Sequence, residues 1–253
     1  MIDIKVIVPG YNCEPWIHKT INSIKNQTFT NFKCIVIDDT STDNTFKAAE
    51  QTINSDNRFK LVRNTENNGA LKNIYDGIKI ISEDDEDVII TVDGDDWVYD
   101  ENVFEKVSAT YLDNNCLITY GSFIEYPSNI THPYYLTSYD ENVIQNNLFR
   151  DTGWKASHLR TFKAKLWNSI KYEDFIDPET GKFYETAWDL AFMIPMLEMA
   201  GDRSKHIDDI LYVYNKENPA SDMYIKTQLQ LSTADKIRKK PRYILRSFFE
   251  EVI

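Results

Sequence analysis

The chain has 253 residues, 42% hydrophobic and 27% charged, which suits a soluble globular protein with a full buried core. Its net charge of −12 disfavours a nucleic-acid partner, because phosphate backbones would be repelled. No apolar stretch approaches the roughly 20 residues that span a bilayer and no signal-peptide pattern opens the chain, while Cys13, Cys34 and Cys116 read as reduced core thiols of a cytoplasmic protein, not as a disulfide or zinc site.

In chain order, Lys5, Val6, Ile7 and Val8 predict a strand, and Trp16, Ile17, Ile21 and Ile24 share one face of the helix after it. Residues 32–37 predict a second strand, with Asp43 as N-cap of the next helix. A third strand at 59–62 precedes a helix opened by Asn68 and carrying Leu71, Ile74, Tyr75 and Ile78. A fourth at 88–92 precedes one carrying Val103, Phe104, Val107 and Tyr111, and residues 116–123 give a fifth strand. Strands alternating with helices imply an α/β fold, with a mostly parallel, Rossmann-like sheet flanked by helices. Between 126 and 185 the pattern turns irregular, as suits a substrate-facing region. Residues 186–199 predict a helix, 210–214 a short strand, and the remainder a C-terminal helical extension.

Ligands of such sheets bind beyond the carboxyl ends of the strands. Those ends carry Pro9-Gly10-Tyr11-Asn12, Asp38-Asp39-Thr40-Ser41, residues 64–69 and Asp93-Gly94-Asp95-Asp96, so the polar chemistry of the first half falls on one edge. Three carboxylates packed as closely as Asp93, Asp95 and Asp96 repel one another unless they share a cation. A hard divalent ion, Mn2+ or Mg2+, keeps positions open for phosphate oxygens, which points to a phosphorylated substrate. The acidic run 83–87 precedes its strand, lies at the opposite edge, and reads as a solvated loop.

These four motifs, with Asn68-Gly69-Ala70-Leu71-Lys72-Asn73, resemble in order and spacing the nucleotide-binding half of family 2 glycosyltransferases, which have the GT-A fold. The resemblance implies an inverting, metal-dependent transfer of sugar from a nucleotide diphosphate, a UDP-sugar, to a hydroxyl of a glycan or lipid-linked glycan. It assigns Asp39 to the uracil N3–H, Pro9 and Tyr11 to the border of the base, and Asn68, Gly69 and Lys72 to the nucleotide. Asp95 and Asp96 are assigned to the metal, and Asp93 to the ribose or a water of the metal.

The catalytic base must take a proton from the acceptor hydroxyl. Asp189, at a helix start, resembles the family's base, with Glu185 as the rival. Two positions depart from the family pattern: Trp188 stands where a Glu often precedes this Asp, and Glu217 and Asn218 stand where many members carry a His. Trp154 suits stacking on an acceptor sugar, His158 a hydroxyl, and Arg160 the diphosphate.

The chain is thus divided into a nucleotide-sugar-binding half (1–125), an acceptor-binding and catalytic half of the same domain (126–220) and a helical extension (221–253). The extension gathers Lys236, Arg238, Lys239, Lys240, Arg242 and Arg246 among Ile237, Tyr243, Ile244, Leu245, Phe248 and Phe249, which suits peripheral contact with an anionic membrane surface or a helix packed on its own domain. Two further classes compete: a nucleotidyltransferase, which would want a Gly-rich basic loop where 9–15 offers none, and a glycan-binding protein without catalysis, which would not need the acidic triplet.

Overall fold

Alternation along the first strands sends successive side chains into two separate cores. In the computed structural model, which describes residues 2–113, 115–219 and 227–245, β1 (Ile4–Gly10) places Ile4, Val6 and Val8 on one side and Ile7 on the other. In β2 (Phe32–Asp38), Cys34 and Val36 join the first side and Ile35 and Ile37 the second; in β4 (Val88–Thr91), Val88 and Ile90 oppose Ile89. A strand apolar at every position must be covered on both faces. Helices α1 (Glu14–Lys25), α2 (Thr45–Ile53) and α4 (Val103–Asp113) cover the first face. The second is covered by α3 (Ala70–Ile81), α5 (Glu141–Gln145), α6 (Ala164–Asn168) and α7 (Trp188–Ala200).

The eight strands run in the order β3 (Phe59–Arg63), β2, β1, β4, β7 (Arg160–Lys163), β6 (Ile118–Tyr126), β8 (Ser204–Asn215) and β5 (Trp97–Val98). The first four are mutually parallel, β7 is antiparallel to both β4 and β6, β8 is parallel to β6, and β5 is antiparallel to β8. The α/β architecture with flanking helices therefore stands, with a sheet that is mixed beyond β4. The cause is the irregular stretch: after β6 the chain stays at the carboxyl edge and re-enters the sheet from there, so β7 runs the other way. The carboxyl ends of β1, β2, β4, β6 and β8 and the amino end of β7 consequently meet at one edge.

Several boundaries move. The fifth expected strand is β6, three residues longer at its end, and the short strand at 210–214 is the twelve-residue β8. Asn44, not Asp43, is the N-cap of α2, but Asp43 braces two helix starts, accepting the Thr45 N–H at 3.0 Å and the Glu14 N–H at 3.1 Å. Helix α7 is apolar nearly all round, and every residue from Leu190 to Ala200 is buried, as expected of a helix inside a core. Its one charge there, Glu198, is met by Arg150 at 2.7 and 2.9 Å.

Among the described residues of the C-terminal extension, α8 (Thr227–Arg238) is helical, and the chain from there to residue 245 runs back over the domain. Its cations are paired within the molecule. Lys236 meets Glu179, Lys239 meets Asp235, Lys240 meets Asp174, Arg242 meets Asp151, and Arg238 donates to the carbonyls of Phe149, Arg150 and Thr152. Ile237 is buried and Tyr243 bonds Asp174 and Glu198. Of the apolar residues expected at a membrane, Ile244 and Leu245 are exposed, while Arg246, Phe248 and Phe249 lie outside the described residues. The described tail is thus packed on its own domain and presents no unpaired basic face. Among the described residues no helix is long and apolar enough to cross a membrane, and the three cysteines are buried and unpaired.

Candidate active site

A cavity of about 670 Å³ opens at the shared strand edge. One arm is lined by Pro9, Gly10, Tyr11, Cys13 and Ala70, and the acids Asp93, Asp95 and Asp96 form its floor; the other arm holds Trp154, His158, Arg160, Trp188 and Asp189 with Glu125, His132, Tyr135 and Lys216. The two halves of the chain therefore supply facing parts of one site.

The floor depends on a close approach of backbones. The Gly94 N–H donates to the Pro9 carbonyl at 2.9 Å, and a Cβ on Gly94 would sit 2.9 Å from both that oxygen and the Gly10 Cα. Asp96 is buried, and its oxygens accept the Tyr212 hydroxyl at 2.7 Å and the Asn215 N–H at 2.8 Å. Burial, then the neighbouring Asp95 and Asp93, push its pKa well above the usual carboxylate range. Asp95 lines the cavity and accepts the Asn218 amide at 2.8 Å, so the residue standing where many relatives carry a His holds the acidic motif.

Asp93 is tied instead to the second half. Its Oδ2 accepts Arg160 Nη2 at 3.0 Å and lies 3.6 Å from His158 Nε2. Burial alone would raise its pKa, but Arg160 and His158 outweigh that and hold it at about 2. Arg160 is itself buried, its Nε donating to Thr91 Oγ1 at 3.1 Å and its Nη1 to His158 Nε2 at 3.2 Å, with the Trp188 ring 4.8 Å from the guanidinium. His158 stacks on Tyr212 with centroids 4.6 Å apart, and burial, then Arg160, lower its pKa to about 4. Its other nitrogen, Nδ1, lies 2.8 Å from Ser157 Oγ.

Beyond Arg160 lies Asp189, whose Oδ2 is 3.9 Å from Nη1 and accepts the Trp154 indole N–H at 3.2 Å. Its Oδ1 accepts the Leu190 N–H at 3.0 Å, in the first turn of α7. Burial raises the Asp189 pKa, and Arg160 opposes the rise. The rival Glu185 is exposed and does not line the cavity.

Several expected site residues have partners within the fold. Asp39 is buried and does not line the cavity; it accepts the N–H groups of Asn68 at 2.9 Å and Gly69 at 2.8 Å and the Asn64 amide at 2.7 Å. It braces the 64–69 loop, whose Gly69 has φ 78°. Lys72 turns along its own helix to Asp76 and stays out of the cavity. Arg160 and His158 line the cavity while engaged with Asp93 and each other. Pro9 and Tyr11 do line the donor arm, with Tyr11 half exposed.

Glu125, His132 and Lys216 were not singled out from the sequence. His132 Nε2 and Lys216 Nζ approach the same Glu125 oxygen at 2.8 and 2.7 Å. The signal available was the sheet itself, since a fifth strand extended by two residues carries Glu125 to the ligand-binding edge.

Three comparisons bear on this geometry. The family model described as "Glycosyl transferase family 2" matches residues 5–187. The chain belongs to glycosyl transferase family 2. Among relatives of this family, the glycosyltransferase GlyG of Streptococcus pneumoniae is 28% identical over 91% of this chain and 75% of its own length. A UDP-Glc:alpha-D-GlcNAc-diphosphoundecaprenol beta-1,3-glucosyltransferase of Escherichia coli, WfgD, is 35% identical over 47% of this chain and 45% of its own. Several other relatives are likewise spanned for half their length or less. The S. aureus TarS 1-349 structure in complex with UDP-GlcNAc superposes with a TM-score of 0.65 at 17% identity, over 92% of this chain and 66% of that one, showing the same GT-A fold. A Pyrobaculum calidifontis mannosyltransferase in complex with GDP-Man and Mn2+ gives 0.63 at 17% identity over 95% and 65%. Family membership sets aside the nucleotidyltransferase alternative.

Proposed function

We propose that this glycosyltransferase moves a sugar from a UDP-sugar to a hydroxyl of a glycan or lipid-linked glycan, inverting the anomeric centre with the help of Mn2+ or Mg2+. The observation that carries the reading is the pairing of an acidic floor and a separate raised-pKa carboxylate, Asp189, on one cavity, bridged by a single buried arginine. Support for the donor comes from relatives: TarS is described in complex with UDP-GlcNAc, and WfgD is named for a UDP-Glc donor and a diphosphoundecaprenol-linked acceptor.

The floor fits a divalent cation. Its three carboxylates raise one another's cost of ionisation, most visibly at Asp96, and a cation would relieve that repulsion. Ligand-type atoms of Asp93, Asp96 and His158 lie within 4.8 Å of one another. Arg160 already places positive charge among Asp93 and His158, however, and the Asp96 oxygens are engaged inside the fold. We assign the ion to Asp95, which lines the cavity and also accepts Asn218, with the buried Asp96 behind it as the second expected ligand, whose raised pKa a cation would bring down. When bound, such an ion supplies Lewis-acid stabilisation of the leaving diphosphate.

The chain's own residues do the rest. Pro9, Tyr11 and Ala70 wall the nucleotide, Asp93 is kept ionised by Arg160 beside it, and Asp189 takes the proton of the attacking hydroxyl. Trp154 bonds the base, Trp188 precedes it at the start of α7, and both line the cavity around it. The test is UDP affinity by calorimetry in manganese and in chelator, with donor hydrolysis compared between wild type and Asp95→Ala. Weaker binding in chelator and loss of hydrolysis in the variant are expected; equal affinity in both buffers would remove the metal from the reading.

A further inference from the structure

Trp154 lies where a sugar-stacking residue would be expected, yet its polar edge is turned to protein. The indole N–H, which is a donor only, reaches Asp189 Oδ2 at 3.2 Å. An aspartate carboxylate rotates over a broad, two-fold torsional well unless its oxygens are held. Here one oxygen is taken by the Leu190 N–H of its own helix and the other by Trp154, which comes from a segment 35 residues earlier. The ring is partly buried against the core that contains α7, so the donor does not swing away freely.

We propose that Trp154 is a positioning residue for the transfer, its indole N–H fixing the rotation of the Asp189 carboxylate and favouring its ionised form. This rests on Asp189 being the base. The other charged or titratable groups facing Asp189 are Arg160 from β7, Asp93 from the end of β4, and Tyr135 from the loop before α5. Arg160 is 3.9 Å away and makes no hydrogen bond to the carboxylate, so Trp154 is the side chain that bonds it directly. Burial and Asp93 favour the protonated acid, and the indole N–H works against both.

The test compares wild type, Trp154→Phe, Trp154→Ala and Asp189→Asn in manganese, with water as the acceptor and UDP-glucose or UDP-GlcNAc as donor. Trp154→Phe keeps the ring and deletes the donor. It should lower kcat about tenfold, leave the donor KM near wild type, and move the acid limb of the kcat profile to higher pH. An unchanged kcat and limb in Trp154→Phe, with the defect appearing only in Trp154→Ala, would overturn the proposal and leave the ring as a platform. If Asp189→Asn retains full turnover, the base assignment fails and takes this inference with it; if Asp189→Asn is inactive and Trp154→Phe is normal, this inference alone fails. A measurement on the unaltered chain is independent of folding of the variants. Among the indole signals of the five tryptophans in a 1H–15N spectrum, one should titrate in wild type and lose that titration in Asp189→Asn. No titrating indole would overturn the proposal.

Discussion

The acidic floor and the wall that bears Asp189 are assembled in opposite ways. Asp93, Asp95 and Asp96 come from one four-residue turn, yet their bonds reach about 120 residues ahead, to Tyr212, Asn215 and Asn218. Trp154 and Arg160, from the segment that enters β7, and Asp189, from the start of α7, meet at the Asp189 carboxylate, at 3.2 and 3.9 Å. A local cluster of like charges needs distant groups to tolerate it, whereas a dispersed set of residues is kept in place by its own mutual contacts. Arg160 belongs to both, which makes the two parts one electrostatic unit.

That contrast can be broken at several points. The largest effect should come from the wall: Asp189→Asn should cut transfer roughly 100-fold or more while UDP affinity stays near wild type, the scale of losing a general base. Unchanged turnover would move the chemistry elsewhere. Next is the support behind the wall. Arg150→Met strands Glu198 in the core and should cost about 3–5 kcal/mol in chemical denaturation, with much of that recovered by adding Glu198→Leu. A loss below about 1 kcal/mol would show that the ion pair is not what anchors α7 to the tail.

The link between floor and wall is probed by pH. His158 is held at about 4 in the fold against an ordinary value of 6.5, so between those values only the unfolded chain takes its proton. Stability should therefore fall as pH drops from 6.5 through about 4, by about 3 kcal/mol at most. His158→Gln should flatten that slope in urea melts taken across the range; an identical slope would assign it to other groups. The smallest effect belongs to the donor arm. Asp39→Ala removes three hydrogen bonds from the 64–69 loop and should cost about 1–3 kcal/mol. It should weaken uridine and guanosine nucleotides alike, while a loss confined to uridine nucleotides would give Asp39 the base contact after all.

The first half was legible because its information is local. Period-two and helical patterns fix β1 to β4 and their helices, and placing polar residues at strand ends follows from parallel topology alone. Sequence placed Asp95 and Asp189 on what proves to be one cavity without knowing the distance between them. It missed β7 itself, and with it the antiparallel turn of the sheet, because four residues inside an irregular stretch carry too little pattern to be read as a strand. Nor does it reveal which side chains have remote partners. Asp39 appears open until Asn64, Asn68 and Gly69 fold around it, and Arg160 appears free until Thr91, Asp93 and His158 close on it. Residue type gave the chemistry in those cases, and only packing gave the partner.

The contact of Gly94 with Gly10 and Pro9 leaves no room for even a methyl group between the first strand and the acidic turn. Main chain therefore meets main chain at this point, and the turn reaches the first strand only through a residue that has no side chain. In a saturation library spanning residues 93–96, position 94 should tolerate glycine and nothing else.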